Sequence, residues 1–272
     1  MLSLLSVLQI EAQKTIDLSG DWNFEIDRQD IGEKEKWFNQ TLQDVIELPG
    51  SMPERLKGDD VTVRTRWTGS LYDSSYYYNP YMEKYRREGN VKLPFFLTPD
   101  KHYVGVAWYQ KEINLPKDWK KERIVLVLER PHIESTVWVN GHKVGMQNSL
   151  CVAHIYDVTR YVRPGKCNIT IRIDNRIKEI NVGPDSHSIT DQTQGNWNGI
   201  VGRICLQATP HVYFDDIQVF PEPEQKLARV KLRIKSSNKS STTAQVRLSA
   251  ESFNAEKKHI LPVLMQDRKS VV

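Results

Sequence analysis

The sequence has no run of about 20 consecutive apolar residues, the length that a membrane-spanning helix needs. It also has little net charge, because 38 Lys and Arg residues are balanced by 34 Asp and Glu residues, for a formal net charge of +4. The densest basic run, Lys226 to Lys239, alternates with apolar residues as a half-exposed strand does. Nucleic-acid binding normally requires a concentrated basic face. The sequence therefore predicts neither a membrane span nor a nucleic-acid partner.

Cysteine is scarce, with only Cys151, Cys167 and Cys205, and these form no CxxC or Cys/His spacing typical of a metal site. Phosphate-binding glycine loops and haem motifs are missing too, so the residues imply no cofactor. An odd number of cysteines leaves at least one thiol unpaired. Buried free thiols in strands are the favoured interpretation, and one disulfide is the alternative if the protein is exported.

Long helical periodicity is missing as well, and only residues 33–42 predict one or two turns of helix. Period-two alternation of apolar and polar residues predicts strands instead. Asn140-Gly141 lies between two such runs and predicts a tight hairpin, because both residues tolerate the positive φ of a type I′ turn. Many short strands with regular turns indicate an all-β sandwich or jelly roll. The other clear strands are Trp108–Leu115, Arg123–Glu129, Asn168–Asp174 and Gly202–Ala208.

A domain boundary is predicted near Thr209-Pro210, after which further strand patterns cover Val212–Phe220, Leu227–Ile234 and Ala244–Phe253. An immunoglobulin-like sandwich needs about seven strands and about 100 residues. We therefore expect residues 210–272 to be an incomplete domain and the sequence to be a fragment. The alternative is a small three-stranded module, which would be marginally stable without a partner.

The N-terminus contains the apolar stretch Leu2–Leu8, and Ala12 follows it. This pattern is typical of the end of a secretory signal peptide cut near Ala12. We expect residues 1–13 to be a signal remnant and the protein to be periplasmic or secreted. A short first strand is the alternative interpretation.

A long irregular segment, residues 49–102, is rich in tyrosine and includes Tyr76, Tyr77 and Tyr78. Loops of this length are usually functional or mobile, and tyrosine rings offer flat apolar faces with a polar rim on which sugar C–H faces stack. These three tyrosines are candidate carbohydrate-binding residues. Packing of the loop against the sandwich, or a subunit contact, is the alternative.

Several segments in order resemble glycoside hydrolase family 2, the group of β-galactosidases, β-glucuronidases and β-mannosidases. Each motif is weak alone, but together they cover about 190 residues. They are the opening strand Ile16–Phe24, the Trp-Tyr strand Ala107–Lys111, the Val-Asn-Gly hairpin Val137–His142, the turn Asp157–Thr159 with the strand ending Asp174-Asn175, and the closing signature Asn196–Arg203.

The resemblance implies a galactose-binding-domain-like jelly roll over residues 14–209 and the start of an immunoglobulin-like sandwich over residues 210–272. In the family a TIM barrel follows and carries both catalytic glutamates. A barrel is larger than what remains of this chain, and neither catalytic segment is found in the sequence. We therefore assign no catalytic residue here and expect the chain to be inactive without a barrel from the same polypeptide.

The polar stretch Ser186–Asn198 lies just before the closing strand and contains the candidate sugar-binding residues His187, Asp191 and Asn196. In β-galactosidases of the family, an acidic residue shortly before the signature Trp contacts the sugar, and Asp191 matches it by position. The spacing to Trp197 departs from the family pattern and puts that match in doubt. A carboxylate can accept two hydroxyl hydrogen bonds from one sugar, whereas the alternative role for Asp191 and His187 is to stabilise the loop.

Three functions remain open at this stage. The first is the non-catalytic N-terminal region of a β-galactosidase-like family 2 hydrolase that acts on terminal β-linked sugars in carbohydrate metabolism. The second is a free-standing carbohydrate-binding module or adaptor without hydrolase activity. The third is a structural interaction module without sugar affinity. Carbohydrate is the expected partner in the first two.

Overall fold

The computed structural model describes residues 14–69, 74–93, 97–178, 186–187, 190–191, 195–225 and 227–237. Residues 1–13, where the signal remnant is predicted, lie outside them. In this part of the chain nearly all regular structure is β. The strands are β1 Lys14–Asp17, β2 Gly20–Asp27, β3 Asp44–Leu48, β4 Gly50–Ser51, β5 Asp59–Asp60, β6 Lys101–His102, β7 Val106–Leu115, β8 Arg123–Pro131, β9 Glu134–Val139, β10 His142–Asn148, β11 His154–Asp157, β12 Gly165–Asp174, β13 Gly199–Thr209, β14 Val212–Glu222 and β15 Leu227–Ser236.

Short 3-10 turns are the helical structure of the described residues, at Trp37–Asn39, Ser74–Tyr77, Pro80–Tyr85, Lys117–Lys121 and Pro223–Gln225. None of the helices is long and apolar enough to cross a membrane in the described ranges. The predicted helical turn within residues 33–42 corresponds to the first of these turns. The all-β prediction is confirmed.

Two antiparallel sheets make up the sandwich. One has six strands in the order β10-β9-β12-β7-β2-β3, and the other has the order β1-β13-β8-β11 with β4 paired to β13. Most neighbours in the sheets are distant in sequence, as when β2 pairs with β7 and β1 with β13. The sandwich therefore closes through long-range pairing rather than through successive hairpins.

The main core lies between the two sheets and follows the period-two alternation. In β12 the inward residues Ile169, Ile171 and Ile173 are fully buried, and they meet Leu126 and Leu128 of β8 within one apolar cluster. At about 25 cal/mol per Å² of apolar surface removed from water, such a cluster supplies the largest favourable term in folding.

The outer face of the six-stranded sheet is covered by the segment that follows β2. Trp37 and Phe38 pack there on Trp108 and Trp138, and Phe38 stacks on Trp138 at 5.2 Å between ring centroids. The carboxylate of Asp27 fixes the start of the segment, because it accepts hydrogen bonds from the Ile31 and Gly32 backbone amides and from Trp108 Nε1. This sheet is therefore covered on both faces near its centre.

The predicted hairpin at Asn140-Gly141 is confirmed between β9 and β10. Asn140 has a φ of 49° and Gly141 a φ of 78°, both in the left-handed region that the turn requires. The Asn140 side chain also accepts a hydrogen bond from the Asn168 backbone amide and donates one to the Tyr161 carbonyl. The turn is thus tied to the start of β12 and to the loop before it.

Beyond Thr209, β14 and β15 form a separate two-stranded sheet. Its side chains are mostly exposed, including Ile217, Val219 and Phe220. The strand predicted over Ala244–Phe253 lies outside the described residues. The division of the chain into residues 14–209 and 210–272 stays a prediction.

All three cysteines are free thiols. Cys167 in β12 and Cys205 in β13 are buried, whereas Cys151 is exposed in the loop before β11. Burial raises the pKa of Cys167 to about 11. The two buried thiols act as small apolar side chains of the sandwich.

Candidate functional site

Asp191 lies just before β13, at one end of the sandwich, and its carboxylate is 1% exposed. One carboxylate oxygen accepts a 2.6 Å hydrogen bond from the Asn196 backbone amide, and the other accepts a 2.6 Å bond from the Thr68 backbone amide. The second oxygen also lies 3.3 Å from His102 Nε2. Two backbone amides and an imidazole therefore compensate the desolvation of this charge.

The Asp191 backbone reinforces the same connection, because its amide donates to the Thr68 carbonyl at 3.2 Å. Thr68 belongs to the irregular segment between β5 and β6. Asp191 thus joins that segment to the loop before β13. The structure supplies a loop-stabilising role for Asp191, while contact with a sugar stays a prediction.

Three fully buried asparagines continue the polar cluster behind Asp191. Asn196 donates from its side-chain amide to the Asn175 carbonyl at 3.0 Å and to Thr68 Oγ1 at 3.1 Å. Asn175 donates in turn to Asn196 Oδ1 and to the Tyr103 carbonyl. Asn196 therefore lies inside the fold and uses both ends of its amide for internal bonds.

Asn198 connects this cluster to the apolar core. Its side-chain amide donates to the carbonyls of Gly105 and Ile173, and its oxygen accepts a 2.7 Å bond from the Tyr109 hydroxyl. The ring of Tyr109 packs in the core 5.2 Å from Phe24. Complete burial raises the pKa of Tyr109 well above its usual value, so the hydroxyl stays a donor.

A cleft of about 620 Å³ lies beside this cluster. His102 forms part of its wall and faces Trp67, with 4.6 Å between the ring centroids. The same His102 contacts Asp191, so the cleft and the polar cluster share one side chain. The other residues that line the cleft are Asp59, Asp60, Thr62, Arg64, Thr65, Arg66, Thr68, Tyr103 and Val104.

Trp197 stacks on His132 on the far side of Asn196, with ring centroids 4.5 Å apart and an interplanar angle of 22°. Burial lowers the pKa of His132 to about 4, and the neighbouring Asn196 side chain and Asp191 carboxylate partly oppose this shift. His132 is therefore a neutral ring at neutral pH. Neutral imidazole stacked on indole gives this end of the sandwich a rigid aromatic layer.

The other predicted site residues are His187 and the three tyrosines of the irregular segment. His187 is exposed. Tyr76 is 2% exposed and donates from its hydroxyl to the Tyr85 carbonyl, whereas Tyr77 and Tyr78 are 42% and 73% exposed. The structure thus brings Asp191 and Asn196 together, while the sugar contacts of His187 and of the three tyrosines stay predictions.

Four members of this cluster were not predicted as site residues, namely Thr68, His102, Asn175 and Asn198. Thr68 and His102 are separated from Asp191 by 123 and 89 positions. Asn198 lay within the closing signature and Asn175 at the end of a predicted strand, so a local signal existed for those two. Among the described residues, no group of three His, Cys, Asp or Glu side chains could hold a metal ion.

Comparison with known proteins shows that residues 15–210 match the family described as "Glycosyl hydrolases family 2, sugar binding domain". The chain belongs to glycosyl hydrolase family 2. The matched region runs from β1 to the first residue after β13, and both the Asp191 cluster and the cleft lie within it. This confirms the family resemblance of the sequence motifs.

Relatives of this family 2 chain include a β-glucuronidase from Paenibacillus borealis, which is 25% identical over 218 residues, or 75% of this chain and 30% of the relative. The human β-glucuronidase is 28% identical over 162 residues, or 51% of this chain and 25% of the relative. The chain thus spans less than a third of these relatives' lengths in either alignment.

Solved structures share the fold of the sugar-binding domain. A β-glucuronidase from an uncultured Clostridium sp. has a TM-score of 0.58 at 24% identity, covering 87% of this chain and 36% of that one. A β-glucuronidase from Ruminococcus gnavus has a TM-score of 0.58 at 19% identity, covering 86% and 35%. These likenesses support the β-sandwich assignment.

Proposed function

We propose that this chain is the non-catalytic sugar-binding region of a family 2 glycoside hydrolase that removes a terminal β-linked sugar. The family match over residues 15–210 carries the proposal. The description of the matched family names sugar binding, and the relatives are much longer than the region that they share with this chain. Hydrolysis therefore depends on residues outside these 272.

The preferred substrate in this proposal is a β-glucuronide. The sequence suggested a β-galactosidase-like enzyme, but the relatives described above are named β-glucuronidases. A glucuronide differs from a galactoside by its carboxylate, and a hydrolase that prefers it must provide a compensating positive charge or hydrogen-bond donors. The substrate class is thus inferred from the relatives.

The contribution of this chain is to shape the entrance of the sugar pocket with the loop around Asp191. Its carboxylate accepts hydrogen bonds from the Thr68 and Asn196 backbone amides, and it also contacts His102. Because His102 forms part of the cleft wall, the ordered loop fixes the position of that wall. The carboxylate itself is 1% exposed, so in this proposal it acts through the loop that it orders. The rigid cluster supports such positioning at low entropic cost.

The experiment compares this chain with the full-length gene product on nitrophenyl β-glucuronide and nitrophenyl β-galactoside. We expect no turnover by the chain, and faster hydrolysis of the glucuronide by the gene product. Robust turnover by the chain would contradict the proposal that it is non-catalytic. If the gene product hydrolyses the galactoside faster than the glucuronide, only the proposed substrate class is contradicted.

Asp191→Asn in the gene product tests the role of the loop. We expect kcat/KM for the glucuronide to fall at least tenfold, because the substituted loop positions the pocket entrance less well. Asp118→Asn is the matched control, since Asp118 is exposed and pairs with Lys14 far along the sequence from the loop. Equal kinetic effects of the two substitutions would count against the proposal.

A further inference from the structure

The segment between β5 and β6 begins and ends at two short paired strands. Asp59 pairs with His102 and Asp60 with Lys101 across the two short strands. Thr68 is additionally held by Asp191. Residues 74–93 form the described outer part of this segment, and we call them the tyrosine arm.

The tyrosine arm is braced by its own contacts. Tyr76 is buried, and its hydroxyl donates to the Tyr85 carbonyl at 2.8 Å. Arg86 donates to the carbonyls of Tyr76 and Asn79, and the Lys92 amide donates to the Tyr85 carbonyl at 3.0 Å. The arm therefore presents its outer side chains from an ordered backbone.

Two tyrosine rings of the arm are exposed to solvent. Tyr78 is 73% exposed and Tyr81 is 84% exposed, and both belong to or adjoin the short helical turns. Exposed tyrosines cost little side-chain entropy when they bind, because they have only two rotatable side-chain bonds. Their flat faces fit the C–H faces of sugar rings.

Two lysines of the arm lie close to a third ring, that of the half-buried Tyr85. Lys84 Nζ is 4.9 Å and Lys92 Nζ is 5.7 Å from the centroid of the Tyr85 ring. Within the described residues neither ammonium group forms an ion pair. The arm's arginines differ, since Arg87 pairs with Glu83 at 2.8 Å and Arg86 bonds to backbone carbonyls.

We propose that the tyrosine arm binds an acidic glycan chain, with Tyr78 and Tyr81 stacking on sugar rings while Lys84 and Lys92 pair with uronate carboxylates. The inference deepens the proposed function by giving the hydrolase a second contact with a polymeric uronate substrate. Charge complementarity favours this ligand, because lysines without an ion pair on the same arm as the exposed Tyr78 and Tyr81 rings attract anions that also carry stackable faces. The small net charge of +4 disfavours a nucleic acid.

The test measures binding of this chain to a hyaluronan tetrasaccharide, which alternates glucuronate with N-acetylglucosamine, and to neutral cellotetraose. We expect hyaluronan affinity to fall at least tenfold in Lys84→Gln/Lys92→Gln, with cellotetraose affinity unchanged. Tyr78→Ala/Tyr81→Ala should weaken both ligands. The control Lys120→Gln/Lys121→Gln removes the same charge from the exposed turn between β7 and β8, and it should bind as the wild type does.

Four results would overturn the inference: no hyaluronan binding by the wild type, wild-type affinity in Lys84→Gln/Lys92→Gln, equal weakening in the lysine control, or equal binding of a single-stranded DNA dodecamer. Near-ultraviolet circular dichroism shows whether each variant keeps its fold. Hydrolysis of nitrophenyl β-glucuronide by the gene product tests the proposed function separately, because glycan binding by this chain is measured without catalysis.

Discussion

The two interior regions of the sandwich are equally buried but are held together differently. Between the sheets, residues such as Ile171 and Leu126 pack within an apolar cluster. Their side chains have no polar atoms that need hydrogen-bond partners. At the end near Asp191, the interior contains Asn175, Asn196 and Asn198, and each must find hydrogen-bond partners. Apolar packing tolerates small shifts with a graded cost, whereas a buried amide that loses a partner bears the full desolvation penalty. The difference indicates that the polar end specifies geometry and the apolar core supplies stability.

The largest expected effect lies in the apolar core. Ile171→Ala should lower the free energy of unfolding by about 2–5 kcal/mol, because it removes buried methyl groups and leaves a cavity. Urea unfolding followed by tryptophan fluorescence measures it. Ile217→Ala, in the exposed β14, is the matched control and should change the free energy by less than about 0.5 kcal/mol. Similar losses in the two variants would show that β14 is packed as tightly as the core.

The junction between the two regions should respond next. Asn198→Ala removes the acceptor of the Tyr109 hydroxyl and one donor from each of the carbonyls of Gly105 and Ile173, so we expect a loss of about 1–3 kcal/mol. Asn114→Ala, at an exposed position of β7, is the control and should be nearly neutral. An Asn198→Ala variant as stable as the control would contradict the claim that the amide is essential to the polar end.

Acid should distinguish the polar end from the apolar core. The pKa of His132 falls to about 4 on folding, so between pH 6.5 and pH 4 the unfolded chain binds a proton that the folded chain does not. The free energy of unfolding should therefore decrease as the pH falls, by up to about 1.4 kcal/mol per pH unit from this group. His132→Asn should flatten the slope in urea titrations across this window.

Buried His154 also has a lowered pKa and adds to the same slope, so only the difference between wild type and variant reports on His132. His142→Gln, at an exposed position, is the control and should keep the wild-type slope. A His132→Asn variant with the wild-type slope would show that this ring is protonated equally in both states.

The smallest global effect is expected for Asp191→Asn, because the amide keeps the shape of the carboxylate but loses one acceptor and the charge. We expect about 1 kcal/mol in global stability. The local effect should be clearer, with amide hydrogen exchange at Thr68 and Asn196 at least fivefold faster. Unchanged exchange at both amides would show that the loop does not depend on this carboxylate.

Local backbone chemistry allowed the strands and the hairpin to be predicted. Alternation along β7 and β12 was visible in the sequence because successive side chains of a strand point to opposite faces, whereas β8 was visible as a dense run of β-branched and other apolar residues. Asn140-Gly141 predicted the hairpin turn because few residue pairs adopt two consecutive positive φ angles. The family motifs added the order of the strands in a known sandwich.

The site depended on tertiary structure. Asp191 was visible as a polar residue in a polar loop, but its partners Thr68 and His102 come from a segment more than 80 positions away. Tyr76 and Tyr78 differ by two positions in sequence, yet one braces the tyrosine arm and the other faces solvent.

The sequence by itself determined that this chain forms a β-sandwich, because period-two patterns and turn residues act over a few positions, and its motifs resembled those of glycoside hydrolase family 2. Only the tertiary structure decided which polar groups are satisfied inside the fold and which tyrosines and lysines remain on its surface. The physical reason is that hydrogen-bond partners and covering strands come together only when the sheets close. Closure joins residues that are far apart in the sequence, and no local sequence pattern links them.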